Sequence, residues 1–203
     1  AVLGNSSITN TVLRGQVGIG TTTPTFGSIL QIVGNVHAGI GMLPTATDCN
    51  FIGAEAGQTN SGSNCSGFGY RSLYTNSGIY SAGLGYYSLL NNSGSTSTGC
   101  GYYAGYSNSG DRATAVGGSA LYDNSGADCT GVGYYTQFLG SGVRAASLGY
   151  YSLYQNAGAD NTAIGANSGR YQSGGTTGLT NATTSVFLGG STKGVAASAN
   201  QIV

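Results

Sequence analysis

The sequence predicts an all-β fold, a parallel β-roll (β-solenoid) built from 16-residue coils. Three observations predict it. Glycine supplies 38 of the 203 residues. The glycines recur at a fixed interval, and each interval has room for two short extended stretches but not for a pair of helices. Gly53, Gly69, Gly85, Gly101, Gly117, Gly133, Gly149 and Gly165 are spaced by sixteen without exception. Gly62, Gly78, Gly94, Gly110, Gly126, Gly142, Gly158 and Gly174 keep the same spacing nine residues later. A period of this kind decides the fold class before local propensity does. Two glycines per repeat disfavour helices, since each costs about 1 kcal/mol in a helix interior, whereas stretches of about five residues between turns suit short strands. Coils stack about 4.8 Å apart, so equivalent residues form ladders along a rod.

Composition narrows the functional classes. The chain has six Lys or Arg against six Asp or Glu and no net charge, far below the roughly 25% charged residues of ordinary domains. Fifteen Tyr and five Phe set it apart from disordered sequences, which are poor in aromatics. One Lys (Lys193) and five scattered Arg form no basic patch, so nucleic acid is not expected as a partner. No apolar run of about 18 residues predicts a membrane-spanning helix. The start at Ala1, without Met or a signal-peptide pattern, reads as a processed or partial chain.

Residues 1–47 lack the period. Apolar segments at Gln16 to Ile19 and Ser28 to Val33, joined by Gly20-Thr21-Thr22-Thr23-Pro24, read as strand, turn, strand, with Pro44 at the join to the roll. Residues 48–175 then make eight coils. The residue before each first glycine is apolar (Ile52, Phe68, Leu84, Cys100, Val116, Val132, Leu148, Ile164) and reads as the core position. A small residue follows three places after the glycine, as at Ala56, Ser72, Ser88 and Ala104. Asn-Ser precedes the second glycine in most coils, from Asn60-Ser61 to Asn124-Ser125, and reads as turn chemistry. In residues 176–203, Val186-Phe187-Leu188-Gly189 comes 24 residues after Gly165, implying an eight-residue insertion around Thr176 to Thr183. Counting on from Gly189, the next glycine is due two residues past Val203, so the polypeptide is expected to continue.

Large side chains form columns. Directly after the first glycine stand Tyr70, Tyr86, Tyr102, Tyr134 and Tyr150, and one place later Tyr87, Tyr103, Tyr135 and Tyr151. A column of Leu73, Leu89, Leu121 and Leu153 runs beside Tyr74, Leu90, Tyr106, Tyr122, Phe138 and Tyr154. One narrow coil is not expected to enclose all of these, which implies burial by another chain and an obligate oligomer. Packing between chains or coils is the first reading of the nine tyrosines after the glycines. A stacking surface for sugars, with Asn and Ser supplying hydrogen bonds, is the second.

Catalytic chemistry is hard to assemble, and neither an enzyme nor a metal or cofactor is expected. His37 is the only histidine and reads as structural. Asp111, Asp128 and Asp160 lie near coil starts and read as solvated turn acids rather than cation ligands. Cys49, Cys65 and Cys129 share a column four residues before the glycine. Cys49 and Cys65 lie one coil apart, within disulfide reach, so a disulfide and a pair of filler thiols both stay open. No Cys-x-x-Cys spacing suggests zinc. Asn5, Asn64 and Asn181 match the short glycosylation pattern.

The string Asn161-Thr162-Ala163-Ile164-Gly165-Ala166-Asn167-Ser168 resembles the head repeat of trimeric autotransporter adhesins. The flavour of Gly101-Tyr102-Tyr103-Ala104-Gly105-Tyr106-Ser107-Asn108-Ser109-Gly110 is similar to such repeats in bacteriophage tail-fibre-like proteins. Val17 to Pro24 and Gly34-Asn35-Val36 resemble the shaft segments of these fibres, and Ala199-Asn200-Gln201-Ile202-Val203 the start of another head repeat. The resemblance implies a left-handed roll in a homotrimer, in which three copies of Cys129 cannot pair symmetrically. It also implies an extracellular structural or adhesive fibre that binds a cell-surface glycan or protein receptor. The alternatives are a self-assembling extracellular filament and, ranked lower, an ice-binding solenoid. The last needs a flat array, and the column of Thr98, Thr114, Thr130 and Thr162 is interrupted by Asn50, Ser66, Ala82 and Ala146.

Overall fold

A computed structural model describes residues 36–38, 47–172, 182–194 and 202–203. The strands expected at 16–19 and 28–33, and the glycosylation patterns at Asn5 and Asn181, lie outside these residues. The described strands are β1 (Val36–Ala38), β2 (Asn50–Ile52), β3 (Ser66–Phe68), β4 (Ala82–Leu84), β5 (Thr98–Cys100) and β6 (Thr114–Val116). They continue as β7 (Thr130–Val132), β8 (Ala146–Leu148), β9 (Thr162–Ile164), β10 (Tyr171–Gln172), β11 (Val186–Leu188) and β12 (Lys193–Gly194). Strands β1 to β9 and then β11 form one ten-stranded parallel sheet, and β10 pairs with β12. The chain is a β-solenoid with 16-residue coils.

The register follows the glycine count. From β2 to β9 each residue pairs with the residue sixteen later, as Asn50 with Ser66 and Ala146 with Thr162. Thr162 pairs with Val186, so the eight extra residues are absorbed without a shift of register. Ile202 then bridges Val186, sixteen residues on, and the Val203 N–H donates to the Val186 carbonyl at 2.9 Å. Strand β1 joins β2 at an offset of fourteen, Val36 opposite Asn50.

From β2 to β8 each coil holds one strand rather than the two that the spacing suggested, while the coils of β9 and β11 add a short second one, β10 and β12. The opposite wall is still bonded coil to coil, with the N–H groups of Gly57, Thr59 and Ser61 donating to the carbonyls of Ser72, Tyr74 and Asn76 at 3.0, 2.9 and 2.8 Å. It is not extended, because residues near it sit in the left-handed region: Tyr87, Tyr103, Tyr135 and Tyr151 at φ 55–58° and Leu73, Leu89, Leu121 and Leu153 at φ 48–54°. Such a conformation costs roughly 1–2 kcal/mol for a residue with a side chain. The bonds and packing between coils offset it.

The apolar column before each first glycine is not the core. Ile52, Leu84, Leu148 and Ile164 are 45%, 55%, 50% and 46% exposed, and Cys100, expected among core residues, is half-buried. The middle residue of each strand points inward instead: Phe51, Gly67, Gly83, Gly99, Ala115, Gly131, Ser147, Ala163 and Phe187. Because a strand alternates faces with a period of two, reading the interior one residue off inverts every assignment. The interior is filled from the far wall, where Leu73, Leu89, Leu121 and Leu153 are buried inside their own chain, without the second chain expected to cover them. Volumes compensate within coils. Phe51 stands over Gly57, where a Cβ would fall 2.5 Å from the Phe51 ring. Leu121 lies against Gly131, where a Cβ would fall 3.2 Å from the Leu121 Cγ.

The two glycine series do different work. The first has φ of +118° to +138° and lies against the next coil's backbone. The second has ordinary φ, but a Cβ on Gly62 would land on the Gly78 carbonyl oxygen, and likewise along the column. Excluded volume, not a left-handed turn, demands glycine there. The Asn before it is likewise no turn residue. Asn60, Asn76, Asn92, Asn108 and Asn124 are buried and form an amide ladder. Each Nδ2 donates to the preceding Oδ1, at 2.7, 2.7, 2.8 and 2.9 Å in order. Each Nδ2 also donates to the carbonyl of its own second glycine, as Asn60 to Gly62 at 2.6 Å and Asn124 to Gly126 at 2.8 Å. The ladder stops where Gly140 replaces Asn, leaving the Asn124 Oδ1 buried without a donor.

Candidate binding surface: the apolar and aromatic ladders

Two surface features follow from this register. The first is the outer face of the sheet, where Ile52, Phe68, Leu84, Val116, Leu148, Ile164 and Leu188 form an exposed apolar ladder. It runs beside the column of Thr98, Thr114, Thr130 and Thr162, and near β7 to β9 the two columns bound a shallow groove of about 190 Å³.

The second is an aromatic field. In the column directly after the first glycine, Tyr70 and Tyr86, Tyr86 and Tyr102, and Tyr134 and Tyr150 stack with ring centroids 5.2, 5.4 and 5.7 Å apart. In the next column Tyr87 contacts Tyr103 edge-on, and Tyr135 stacks on Tyr151, both at 5.0 Å. All nine tyrosines singled out from the sequence are brought together in this field. The sequence reading left a third column out of the candidate site: Tyr106, Tyr122, Phe138 and Tyr154 stack at 4.9, 4.9 and 5.4 Å. It also missed two guanidinium groups at the ends of the field. Arg71 lies 5.3, 5.1 and 5.8 Å from the rings of Tyr70, Tyr74 and Tyr87, and Arg170 lies 4.2 Å from Tyr151 and 5.1 Å from Tyr154. The spacing of Arg71 and Arg170 against the tyrosine columns carried this signal, since residues at neighbouring column positions in adjacent coils must meet.

Hydrogen bonding and burial shift several of the phenols. Tyr86 is pushed up to about 12, chiefly by its hydrogen bond with Tyr87. The same bond lowers Tyr87. Burial raises Tyr103, Tyr122 and Tyr151.

One ion pair lies in the field, where the Arg71 guanidinium donates to the Glu55 carboxylate at 2.6 Å, and others sit elsewhere. Asp128 and Asp160 are paired with Arg112 and Arg144, the latter through bonds of 2.6 and 2.9 Å, and the guanidinium groups hold both carboxyls below the usual range. These pairs are exposed and screened by water, so they add little to stability. The Asp111 carboxylate accepts from the Ser95 N–H at 2.7 Å. Among the described residues no three His, Cys, Asp or Glu gather as metal ligands. His37 lies in β1, in register with Phe51 of β2.

Cys49 and Cys65 occupy one interior column as thiols rather than as a disulfide. Their place in other coils is taken by Ser81 and Ser97, and the chemistry is shared. Asn76 donates to the Cys65 sulfur at 3.4 Å as Asn92 and Asn108 donate to the hydroxyls of Ser81 and Ser97 at 3.3 and 3.1 Å. The Cys65 and Cys129 thiols donate to the carbonyls of Gly78 and Gly142 at 3.4 and 3.0 Å. Burial pushes Cys65 up to about 11 and raises Cys129. Burial withholds a thiol from reagents, so at pH 8 a disulfide-exchange reagent is expected to modify Cys49, Cys65 and Cys129 only on unfolding, with Cys100, half-buried on the outer face, ahead of them. Absorbance titration should count no more than one thiol per native chain and four in guanidinium. Two in guanidinium without reductant would establish a Cys49–Cys65 disulfide.

The fold defines this chain as a β-solenoid protein. Comparison with protein-family models, curated proteins and solved structures finds no match.

Proposed function

We propose that the chain is a structural and adhesive segment of an extracellular fibre, wound left-handed and assembled as a homotrimer through its apolar ladder, with the aromatic field facing outward to a cell-surface glycan or protein receptor. One observation carries the reading: seven large apolar side chains stand exposed in a single file along the outer face of the sheet. Soluble monomers rarely leave a contiguous apolar stripe of this kind in water. The interior does not need these side chains, because the far-wall leucines already fill it, so the file is free to serve contacts with other chains. The resemblance to trimeric adhesin heads supports three chains side by side.

Light scattering at low concentration is expected to give three times the chain mass of 20.2 kDa. Leu84→Lys combined with Leu148→Lys adds two charges to the ladder without touching the interior, and is expected to yield folded monomers with unchanged circular dichroism. A native monomer, or a trimer indifferent to both lysines, would overturn assembly through this face.

A further inference from the structure

We propose that the break in the tyrosine columns at Gly118 and Ser119 is a slot that binds one uncharged sugar ring. The proposal rests on the reading of the columns as a carbohydrate surface and locates the subsite within it. Gly85, Gly101, Gly133 and Gly149 are each followed by Tyr-Tyr, whereas Gly117 is followed by Gly118-Ser119. Rings within these columns repeat at 5.0–5.7 Å. Omitting one ring separates Tyr103 from Tyr135 by two coil spacings, about 10 Å. That separation admits one further ring at stacking distance from both walls.

The slot persists as open space of about 310 Å³, lined by Tyr102, Tyr103, Ser119, Tyr122, Tyr135 and Phe138. Tyr122 and Phe138, stacked at 4.9 Å, continue the third column across the break. Tyr134 leans toward Gly118, where a Cβ would lie 2.9 Å from its ring, so the outermost row is partly covered while the inner row is vacant. Ser119, only 7% exposed, forms the floor of the slot where the flanking coils carry tyrosine.

The chemistry of the lining selects the occupant. No charged side chain lines the slot to meet a phosphate, carboxylate or ammonium group. Both walls are aromatic rings, and four phenols and one serine offer hydroxyls around them. A pyranose matches this pattern, because its C–H faces stack on aromatic rings while its equatorial hydroxyls exchange hydrogen bonds at the edge.

The test is saturation-transfer NMR with the methyl glycosides of glucose, galactose and mannose as probes, on the native chain and on Ser119→Tyr. Ser119 already has φ 51°, close to the 56° of Tyr103, so the variant completes the column and is expected to fold. The native chain is expected to transfer saturation to the ring C–H protons of at least one glycoside. Ser119→Tyr should weaken that binding by about tenfold or more, the loss of one ring's stacking. Transfer that survives the variant unchanged would remove the slot and leave the columns as the carbohydrate surface. No transfer to the native chain from any of the three would remove both, while assembly is read separately by mass. Binding of phenol, but of no hexoside, would overturn the sugar assignment.

Discussion

Replacing Gly85 with alanine is expected to destabilise the roll by about 4 kcal/mol or more and to lower its Tm by about 10 °C or more. Two independent causes act at one atom. Gly85 has φ +131°, which residues with a side chain rarely adopt, and an added Cβ would lie 2.6 Å from the Gly101 carbonyl oxygen. Neither obstacle can move cheaply, because the contact is backbone on backbone. Gly85 is held by its N–H bond to Phe68 O, and Gly101 by its own to Leu84 O, both at 2.8 Å. Separating the coils there would cost these bonds as well. Gly118→Ala is the control. Gly118 has no left-handed φ, and its Cβ would meet only the side chain of Tyr134, so a cost below about 1 kcal/mol is expected. Thermal denaturation followed by circular dichroism checks both, and a Gly85→Ala chain that melts like the native one would refute the stacking account.

Asn92→Ala is expected to cost about 2–4 kcal/mol, although it removes only one small amide. Asn92 is fully buried, and its Nδ2 donates to Asn76 Oδ1 at 2.7 Å and to the Gly94 carbonyl at 2.6 Å. The Asn76 Oδ1 would be stranded, at about 1–3 kcal/mol for a buried group without its partner, while the Gly94 carbonyl keeps the Ser97 hydroxyl at 3.2 Å. Asn108 Nδ2 would also lose its bond to Asn92 Oδ1 at 2.8 Å, though it keeps Gly110 O and Ser97 Oγ. Asn91→Ala, one residue away but exposed, should stay within about 0.5 kcal/mol of native. The converse substitution lies in the same column. Gly140→Asn would supply the donor that Asn124 Oδ1 lacks and is expected to stabilise by about 1 kcal/mol. Denaturant titration of the three variants should rank them in that order, and an Asn92→Ala variant as stable as Asn91→Ala would show that the ladder is dispensable.

Much of the architecture was legible because a solenoid converts chain position into space through a constant offset. The offset of sixteen predicted which residues pair from Asn50 to Ile164, that Val186 returns to register after the insertion, and that Tyr70, Tyr86 and Tyr102 stack. The inward face was not legible from the columns taken singly. Ile52, Leu84 and Ile164 looked like core because they are apolar, whereas Gly67, Gly83 and Gly99 lie outside both sixteen-residue glycine series and drew no reading. What distinguishes the faces is a compensation between two columns, Phe51 with Gly57 and Leu121 with Gly131, which only packing makes visible. The same holds for the slot: Gly118-Ser119 reads as a local irregularity until the rings of neighbouring coils stand on either side of it.

The sequence by itself determined the period, the parallel pairing and the grouping of side chains into ladders. These follow from backbone hydrogen bonding at a fixed repeat and are indifferent to which way a side chain points. Only the tertiary structure decided which ladders are interior and which meet water. That choice turns on a one-residue alternation along each strand and on how volumes from two walls share one narrow interior. It placed the leucines and amides inside and left the apolar file and the tyrosines at the surface.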